Sequence, residues 1–430
     1  MQPTMVTGSP FDTFYGALAF GRDEVPAPRR RLTQDIDCDV CVIGAGFAGL
    51  WTARALAARG HEVVVIDRAR VGAGASGRNA GFVGPGFSLD LEQLVRRVGI
   101  EPARALWALS REGVEMVRAL AHGAGPDAAL RPVAGRLDVW MNEDEARNRR
   151  RADWLAHRFD TPCEPWSTRE LQDVLRTPTY QQALHFPEAF HLDPLALALH
   201  LANDLETQGV RLFEATEARE GDLAGVRKHV QTESGRVRAH HVVLCAGVPS
   251  GRVLPAAGRA VMPISSAIGV SEDLGDRLGA VVQYAGGVCD PRRAGPSFRR
   301  IGDRLLWGSG ASTRAAPPRR LAARLAGEIG AVFPTLKGVR IEHAWVGTMA
   351  YAVHAMPLIG RLEPGVWIAS GLGGRGVAMA AIAGELVAAG IVESDERWKM
   401  FAPFGLVDTG GALGRLAAEL RLRAASLRRQ

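Results

Sequence analysis

The feature that most constrains this chain is residues 38–67, CDVCVIGAGFAGLWTARALAARGHEVVVID. An apolar run leads into Gly44, Gly46 and Gly49 in the pattern G-x-G-x-x-G, and a helix-like stretch, a second apolar run and Asp67 follow. Glycines there let the backbone turn tightly and approach a pyrophosphate, which the N–H groups at the start of a helix can bind. Asp67 follows Gly44 at close to the spacing of about 20 residues at which a carboxylate reaches ribose hydroxyls. Because every part is present, a dinucleotide-binding β-α-β unit is favoured over one that holds no nucleotide.

The composition indicates an ordinary folded protein. With 430 residues, of which 47% are hydrophobic and 23% charged, two domains or one elaborated domain are expected. The net charge of +6 comes from scattered arginines, which favours solvated surface over a nucleic-acid site. The best apolar run, 377–392, is interrupted by Glu385, so we predict no transmembrane segment and expect a cytoplasmic location. Five dispersed cysteines make no disulfide framework, and no metal site is predicted.

The order of predicted elements indicates two interwoven domains. Residues 1–37 read as an N-terminal arm whose aromatic residues Phe11, Phe14 and Tyr15 dock on the body. Residues 38–90, 186–255 and 343–395 are assigned to a Rossmann-like nucleotide domain of α/β class, in which Asp193 is expected to cap a helix. Residues 91–185 and 256–342 are assigned to an antiparallel-sheet domain of α+β class that binds substrate. Residues 396–430 form a basic helical tail.

A second glycine motif follows the predicted strand at 366–369. Gly371, Gly373 and Gly376 again spell G-x-G-x-x-G before a helix. No second strand ending in an acid follows at the right distance, which disfavours a separate nicotinamide site. The helix N-terminus there is suited to the negative charge that collects on the pyrimidine edge of a reduced flavin.

These motifs resemble those of the FAD-dependent D-amino-acid-oxidase superfamily, which includes glycine, sarcosine and γ-glutamylputrescine oxidases. The resemblance runs almost end to end. It is carried by VIGAGFAGL with VVVID, GASGRNAG at 74–81, VVLCAG at 242–247, DRLLWGS at 303–309, HAWVGT with MPLIG at 343–360, and SGLGGRGV at 370–377. The leader and the segment MPISSAIGVSEDL at 262–274 look most like the γ-glutamylputrescine oxidoreductase branch.

The resemblance implies which residues hold FAD. Gly44, Gly46, Gly49 and Asp67 are expected at its ADP half, and 74–79, 245–247 and 371–377 at its pyrophosphate and flavin. The full expected set is Gly44, Gly46, Phe47, Ala48, Gly49, Asp67, Arg68, Gly74, Ala75, Ser76, Gly77, Arg78, Asn79, Cys245, Ala246, Gly247, Gly371, Leu372, Gly373, Gly374, Arg375, Gly376 and Val377. Non-covalent FAD is expected, because no cysteine or histidine occupies the flavin-facing motifs as covalent members require.

Two departures from the family pattern point to candidate catalytic residues. Arg375 stands where relatives usually carry the histidine of Gly-His-Gly, and His354 stands where they often carry aspartate. Arg375 is interpreted either as a charge that stabilises reduced flavin or a bound carboxylate, or as part of a structural ion pair. His354 is interpreted either as a proton acceptor or as a structural histidine. Tyr351 is the third candidate catalytic residue. Tyr351 and Trp345 are candidates for the wall of the substrate cavity, with simple core packing as the alternative.

The resemblance implies oxidation of the C–N bond of an amine or amino acid, with hydride transfer to flavin N5, hydrolysis of the imine, and reoxidation by O2 that yields H2O2. One alternative is a dehydrogenase that passes electrons to a quinone or carrier protein. It is motivated by the tail, where Leu413, Leu416 and Leu420 share a helical face among arginines, a pattern that can contact a membrane peripherally. A flavin-bound protein without catalytic activity is the remaining alternative.

Overall fold

A computed structural model describes residues 11–20, 26–142, 144–247, 252–292, 295–314 and 318–427. These residues form two β-sheets with helices packed on them. The helices are α1 Phe14–Phe20, α2 Phe47–Ala57, α3 Leu91–Val98, α4 Ile100–Gly123, α5 Glu145–Phe159, α6 Thr168–Val174, α7 Pro194–Thr207, α8 Pro255–Arg259, α9 Asp276–Gly279, α10 Pro318–Val332, α11 Gly376–Val392 and α12 Gly411–Leu427.

The strands are also numbered in chain order. They are β1 Ile36–Ile43, β2 Val63–Ile66, β3 Phe82–Val83, β4 Val133–Trp140, β5 Glu164–Trp166, β6 Gln182–His191, β7 Arg211–Phe213, β8 Glu220–Asp222, β9 Lys228–Gln231, β10 Arg236–Leu244, β11 Met262–Ser271, β12 Gly287–Cys289, β13 Ser297–Ile301, β14 Arg304–Ser312, β15 Ile341–Tyr351, β16 Leu358–Glu363 and β17 Val366–Ser370.

The first sheet has a parallel centre that contains the predicted nucleotide unit. Its strand order is β16-β17-β10-β1-β2-β7, with β8 and β9 attached beside β10. β1, β10, β2, β7 and β17 pair in parallel. Strand β1, helix α2 and strand β2 form the β-α-β unit that the sequence predicts. Val40, Val42 and Val65 are fully buried, as expected where helices cover a parallel sheet.

The second sheet is antiparallel apart from one pair and makes up the substrate domain. Its order is β15-β11-β14-β13-β12-β4-β6-β3, with β5 beside β6, and only β12 and β4 run in parallel. Three of its strands, β3, β6 and β15, lie wholly or largely in ranges that the sequence assigns to the nucleotide domain. β3 follows β2 of the first sheet, whereas β6 and β15 precede β7 and β16 of that sheet, so all three strands lie where the chain crosses from one sheet to the other.

Helix α7 begins where the sequence predicts. The Asp193 carboxylate accepts hydrogen bonds from the backbone N–H groups of Leu195 and Ala196, both at 3.0 Å. Gly209, with φ of +86°, follows the end of the helix. An N-cap carboxylate satisfies donors that have no partner within the helix, which fixes the start of α7.

Among the residues that the structure describes, one helical stretch, Gly373–Val392, is long and apolar enough to cross a membrane by length and composition. In its most apolar window, 67% is buried inside the protein. A Cβ atom added at Gly384 would lie 2.5 Å from the backbone nitrogen of Thr52, so α11 and α2 pack at very close range. The apolar residues of α11 therefore pack in the core of the nucleotide domain.

The N-terminal arm contacts the body through its aromatic residues. Phe11, Phe14 and Tyr15 are at most 9% exposed, and they pack with Trp345 and Leu306 of the second sheet. The cysteines are all free thiols, and Cys38 and Cys41 are buried in β1. Burial raises the pKa of Cys38 to about 12, so its thiol stays protonated.

Candidate active site

The first glycine motif leaves the backbone bare where a pyrophosphate is expected. Gly44 has φ of +115°, and a Cβ atom there would lie 2.8 Å from the backbone nitrogen of Ala246. A Cβ atom at Gly49 would lie 1.8 Å from the carbonyl oxygen of Gly44. Gly49 therefore allows α2 to pack against the turn, while Gly44 and Gly46 line the adjoining cavity. The first turn of α2 faces this cavity through Phe47 and Ala48.

Asp67 is held at the end of β2 by two backbone donors. Its carboxylate accepts hydrogen bonds from Ala45 N at 2.7 Å and from Ala69 N at 2.8 Å. Burial raises the pKa of Asp67 above its usual value, and the two hydrogen bonds oppose this. Each carboxylate oxygen retains further acceptor capacity. Asp67 and Arg68 line the cavity, and Asp67 is thus placed to accept hydrogen bonds from ribose hydroxyls.

The loop at 74–79 covers the start of α2. The Ser76 hydroxyl accepts a hydrogen bond from Phe47 N at 2.9 Å. The Asn79 amide donates to the carbonyls of Ala75 at 3.0 Å and Ser76 at 2.7 Å, so its side chain shapes the loop. Gly74, Ala75, Ser76, Arg78 and Asn79 line the cavity. Gly77 does not, because it packs on Gly72, whose carbonyl oxygen would lie 2.5 Å from an added Cβ atom.

Arg78 is a cation 9% exposed on the cavity wall. Its guanidinium donates to the Val346 carbonyl at 3.3 Å, and its own carbonyl accepts from the Trp345 indole at 3.0 Å. Burial lowers the pKa of Arg78, and the negative charge of the Asp12 carboxylate opposes this. Trp345 thus lines the cavity, as expected, and also anchors the loop.

Cys245, Ala246 and Gly247 close the cavity beside β10. Cys245 N donates to the Ile43 carbonyl at 2.9 Å, which continues the pairing of β10 with β1. Burial raises the pKa of the Cys245 thiol to about 12. A thiol that remains protonated is a poor nucleophile, which fits FAD held without a bond to this residue.

The second glycine motif forms a tight turn that leads into α11. Gly371 and Gly373 have φ of +64° and +62°. Gly374 N donates a hydrogen bond to the Ser88 hydroxyl at 2.9 Å. A Cβ atom at Gly374 would lie 2.8 Å from the hydroxyl oxygen of Tyr351. The turn from Gly371 to Val377 therefore approaches both hydroxyl groups at the cavity wall.

These parts line one continuous cavity of ≈ 1960 Å³ that reaches from Asp67 to the second sheet. Ligand pockets generally measure about 300–1,000 Å³. The cavity therefore has room for a dinucleotide and a second small molecule. The bare backbone, the α2 N-terminus and the Asp67 carboxylate fit the ADP half of FAD, and the second glycine turn fits the flavin end.

Arg375 and Tyr351 lie on the wall between the two sheets. Arg375 makes no hydrogen bond or ion pair with any residue in the described ranges. Burial and the nearby Arg136 guanidinium lower its pKa below the usual value. Burial also raises the pKa of the Tyr351 hydroxyl, which therefore stays protonated. The described residues therefore form no structural ion pair with Arg375, the alternative considered from the sequence.

His354 lies outside the cavity lining and is 7% exposed. Met356 N donates to its Nδ1 at 3.2 Å, so the ring hydrogen is on Nε2, which donates to the Gly405 carbonyl at 3.2 Å. Burial lowers the pKa of His354. Because both ring nitrogens are engaged, the geometry favours the structural histidine over the proton acceptor, the two interpretations considered from the sequence.

Several wall residues were not identified from the sequence. Ser88 follows the GASGRN loop in a stretch with no motif. Arg136 and Asp138 lie on β4, and Cys289 lies on the paired strand β12, where it aligns with Asp138. One sequence signal could have identified them. Arg136 and Asp138 are two residues apart on a predicted strand, so their side chains face the same side and can pair.

Fold and cavity together define a dinucleotide-binding flavoprotein with a separate substrate sheet. The family model described as FAD dependent oxidoreductase (DAO) matches residues 39–389. The chain therefore belongs to the DAO family of FAD-dependent oxidoreductases. The family and the FAD cofactor expected from the sequence are thus confirmed.

Two relatives are similar over most of their length. The chain is 30% identical over 384 residues to γ-glutamylputrescine oxidoreductase of Escherichia coli, covering 87% of this chain and 88% of that protein. It is 30% identical over 387 residues to the probable oxidoreductase OrdL of Haemophilus influenzae, covering 86% of each. The crystal structure of glycine oxidase from Geobacillus kaustophilus superposes with a TM-score of 0.73 at 21% identity, covering 86% of this chain and 98% of that one. The expected fold class is therefore confirmed.

Proposed function

We propose that this enzyme oxidises the C–N bond of a small amine or amino acid. The observation that carries the proposal is the single cavity that joins the dinucleotide cradle to a chamber walled by Tyr351, Arg375 and Phe186. A substrate in this chamber would lie next to the second glycine turn, where the flavin end of FAD fits. The similarity to γ-glutamylputrescine oxidoreductase supports the same substrate class.

Bound FAD, which the two glycine turns and Asp67 would hold, would supply the redox chemistry: it would accept a hydride at N5 from the carbon beside nitrogen and pass both electrons to O2 to give H2O2, and the imine product would hydrolyse in water. The protein holds the substrate in place and excludes water. The Arg375 cation disfavours a second positive charge nearby, so it lowers the pKa of a bound ammonium group and increases the neutral amine that hydride loss requires. The hydroxyls of Ser88 and Tyr351 orient the substrate.

The test is anaerobic mixing of the yellow holoenzyme with polyamines, N-methylated amino acids, glycine and D-amino acids. We expect at least one to bleach the flavin absorbance, and the same compound to yield peroxide in air. If none bleaches it, the protein binds flavin without this activity and the proposal fails. We propose that FAD is held non-covalently, so acid precipitation should leave the yellow colour in the supernatant.

Helix α12 supports a second candidate, a dehydrogenase that delivers electrons to a membrane quinone. Its exposed face carries Leu413, Leu416 and Leu420, which are 80%, 50% and 60% exposed. Glu419 is buried against the body of the protein, where it accepts hydrogen bonds from the Ser312 hydroxyl at 3.0 Å and from Thr313 N at 2.8 Å. Arg428 and Arg429, expected to extend the basic pattern, lie outside the described residues.

An apolar face that points outward between exposed Arg421 and Arg423 suits an anionic membrane surface. Several residues of α12 also line the mouth of the cavity. Slow reoxidation of the reduced flavin by air with fast reoxidation by a quinone analogue would favour this candidate. Fast reoxidation by air, with peroxide released in equal amount, would favour the oxidase.

A further inference from the structure

The orientation of helix α12 on the second sheet is fixed by Glu419. This residue is 6% exposed, and its carboxylate accepts a third hydrogen bond, from the Thr313 hydroxyl at 3.0 Å, besides those from Ser312 and Thr313 N. Arg423, about one turn further along the helix, donates to the same carboxylate at 3.0 Å. These contacts hold α12 in one rotation about its axis, so the face that it turns away from the sheet is defined.

That outward face of α12 is apolar. Leu413, Leu416 and Leu420 recur at intervals of three and four residues, which places them on one side of the helix, and each is at least 50% exposed. Ala417 and Ala424 are also exposed and lie on the same side. The solvent-facing side of a surface helix normally carries polar residues. Three exposed leucines in line therefore indicate a contact surface.

Positive charge borders this apolar face. Arg421 and Arg423 follow Leu420 by one and three residues, so they lie on either side of the leucines. Arg423 shares its charge with Glu419. Arg421 and the exposed Arg314, next to the anchoring residues of the sheet, form no ion pair with any residue that the structure describes. The chain as a whole carries a net charge of +6. The surface is therefore complementary to a partner that is apolar at its centre and anionic around it.

A lipid bilayer fits this surface better than a second copy of the chain does. In a symmetric pair each face meets itself, which would bring the bordering arginines of two helices together. Like charges across an interface are unfavourable. At a membrane, by contrast, long arginine side chains reach the headgroups while leucines enter the boundary with the acyl chains.

We propose that α12 docks the enzyme on an anionic membrane surface. The helix lies parallel to the bilayer, with Leu413, Leu416 and Leu420 at the boundary between headgroups and acyl chains. Docking does not rest on the proposed reaction, and it holds for the oxidase as well as for the dehydrogenase. Leu416 also lines the cavity. The docked enzyme therefore opens its cavity beside the headgroups, where ligands at the bilayer surface can enter it.

The test measures flotation of the full, FAD-loaded chain with lipid vesicles. One set of vesicles is phosphatidylcholine alone, and the other contains equal parts of phosphatidylcholine and phosphatidylglycerol. We expect binding to the anionic set, much weaker binding to the neutral set, and loss of most binding at high salt, because salt screens the attraction between arginines and headgroups.

The double replacement Leu413→Gln with Leu420→Gln removes apolar contact without changing the net charge. Neither leucine is among the described residues that line the cavity, so FAD content and melting temperature should match the wild type. We expect binding to anionic vesicles to fall by about 100-fold. Val226→Gln is the matched control, because Val226 is 83% exposed in the turn between β8 and β9 and should be dispensable for docking.

Arg421→Gln tests the charge separately. One arginine near an anionic surface contributes about 1 kcal/mol, so we expect about 5-fold weaker binding to anionic vesicles and unchanged binding to neutral ones. Arg361→Gln removes the same charge from an exposed position on β16 and should bind anionic vesicles more tightly than Arg421→Gln does.

Failure to bind anionic vesicles, or equal binding to both sets, would overturn the inference. A dimer in solution that Leu413→Gln/Leu420→Gln dissociates would also overturn it, since the face would then belong to a second copy. Flavin reduction by amines is measured without vesicles. The proposed function can therefore fail while docking stands, and docking can fail while the proposed function stands.

Discussion

The Tyr15 hydroxyl donates a hydrogen bond to the main-chain carbonyl of Asn79 at 3.0 Å, which joins the N-terminal arm to the loop that covers the start of α2. The same hydroxyl accepts from Arg299 at 3.2 Å. The Tyr15 ring also meets the edge of Trp345, with centroids 5.7 Å apart, and Trp345 in turn donates to the Arg78 carbonyl at 3.0 Å. The arm therefore supports the loop at 74–79 through its main-chain carbonyls.

Replacing Tyr15 with phenylalanine should weaken FAD binding without removing it. The variant keeps the ring packing and loses one buried hydrogen bond, for which we expect about 1 kcal/mol, or roughly a 5-fold rise in the Kd for FAD. Apoprotein titrated with FAD, followed by fluorescence, measures this. Phe14→Leu is the control, because Phe14 packs in the same arm but the structure gives it no hydrogen bond to the loop. Equal Kd values for Tyr15→Phe and the wild type would show that the arm does not position the loop.

The second and third glycines of the first motif, Gly46 and Gly49, should respond differently to alanine. A Cβ atom at Gly49 would lie 1.8 Å from backbone, which cannot move aside, whereas one at Gly46 would lie 2.9 Å from the Ser76 hydroxyl, a side chain that can rotate. We expect Gly49→Ala to lower the melting temperature strongly. Gly46→Ala should fold with nearly wild-type circular dichroism and lose FAD affinity, because its methyl group occupies the pyrophosphate approach. Full FAD content in Gly46→Ala would contradict the assigned site.

The sequence was sufficient for the nucleotide unit because its signals are local. Gly44, Gly49 and Asp67 sit at fixed spacings within one β-α-β segment, and the structure places them as predicted. The second sheet was harder to predict from the sequence. Its strands β3, β6 and β15 carry no marker for the change of sheet, which is decided by pairing between distant segments.

The residues that wall the substrate chamber were harder still to predict, because they come from segments that are far apart in the sequence. Arg136 and Asp138 lie on the cavity wall together with residues from distant parts of the chain. Strand β12 aligns Cys289 with Asp138, and the turn that carries Arg375 lines the same cavity. For His354, the sequence left two interpretations open, and the local contacts of the ring favour the structural one. Its place beside the MPLIG motif suggested chemistry, while its hydrogen bonds go to Met356 and Gly405.

Acid should destabilise the protein partly through His191. This residue is 1% exposed; burial, and secondarily Arg299, lower its pKa to about 3. Its unfolded pKa is about 6.5, so between these values the unfolded state holds a proton that the folded state lacks. The neutral ring thus contributes stability above pH 6.5 that is lost as the pH falls, by about 1.4 kcal/mol per pH unit.

Urea unfolding of the wild type and of His191→Gln from pH 8 to pH 4 measures this contribution. The glutamine variant should be less stable at pH 8, since it disturbs the contacts to Arg299 and to the Ala285 carbonyl. It should also lose less stability on acidification than the wild type does. His241 and His354 have pKa values lowered in the same direction, and both remain in the variant, so the difference reports on His191. Parallel pH curves for the two proteins would show that His191 titrates normally.

His354 and Tyr351 should separate stability from catalysis. In His354→Gln we expect kcat and the pH dependence of kcat/KM to match the wild type, and the free energy of unfolding to fall by about 1–3 kcal/mol, because buried partners at Met356 and Gly405 lose their bonds. Tyr351→Phe should behave in the reverse way. Its hydroxyl lies at the cavity wall beside Gly374 and makes contact with Ser88, so its loss should change kcat or KM while the ring keeps its packing. A His354→Gln enzyme that folds with full FAD content but loses one limb of its pH profile would return His354 to the catalytic machinery.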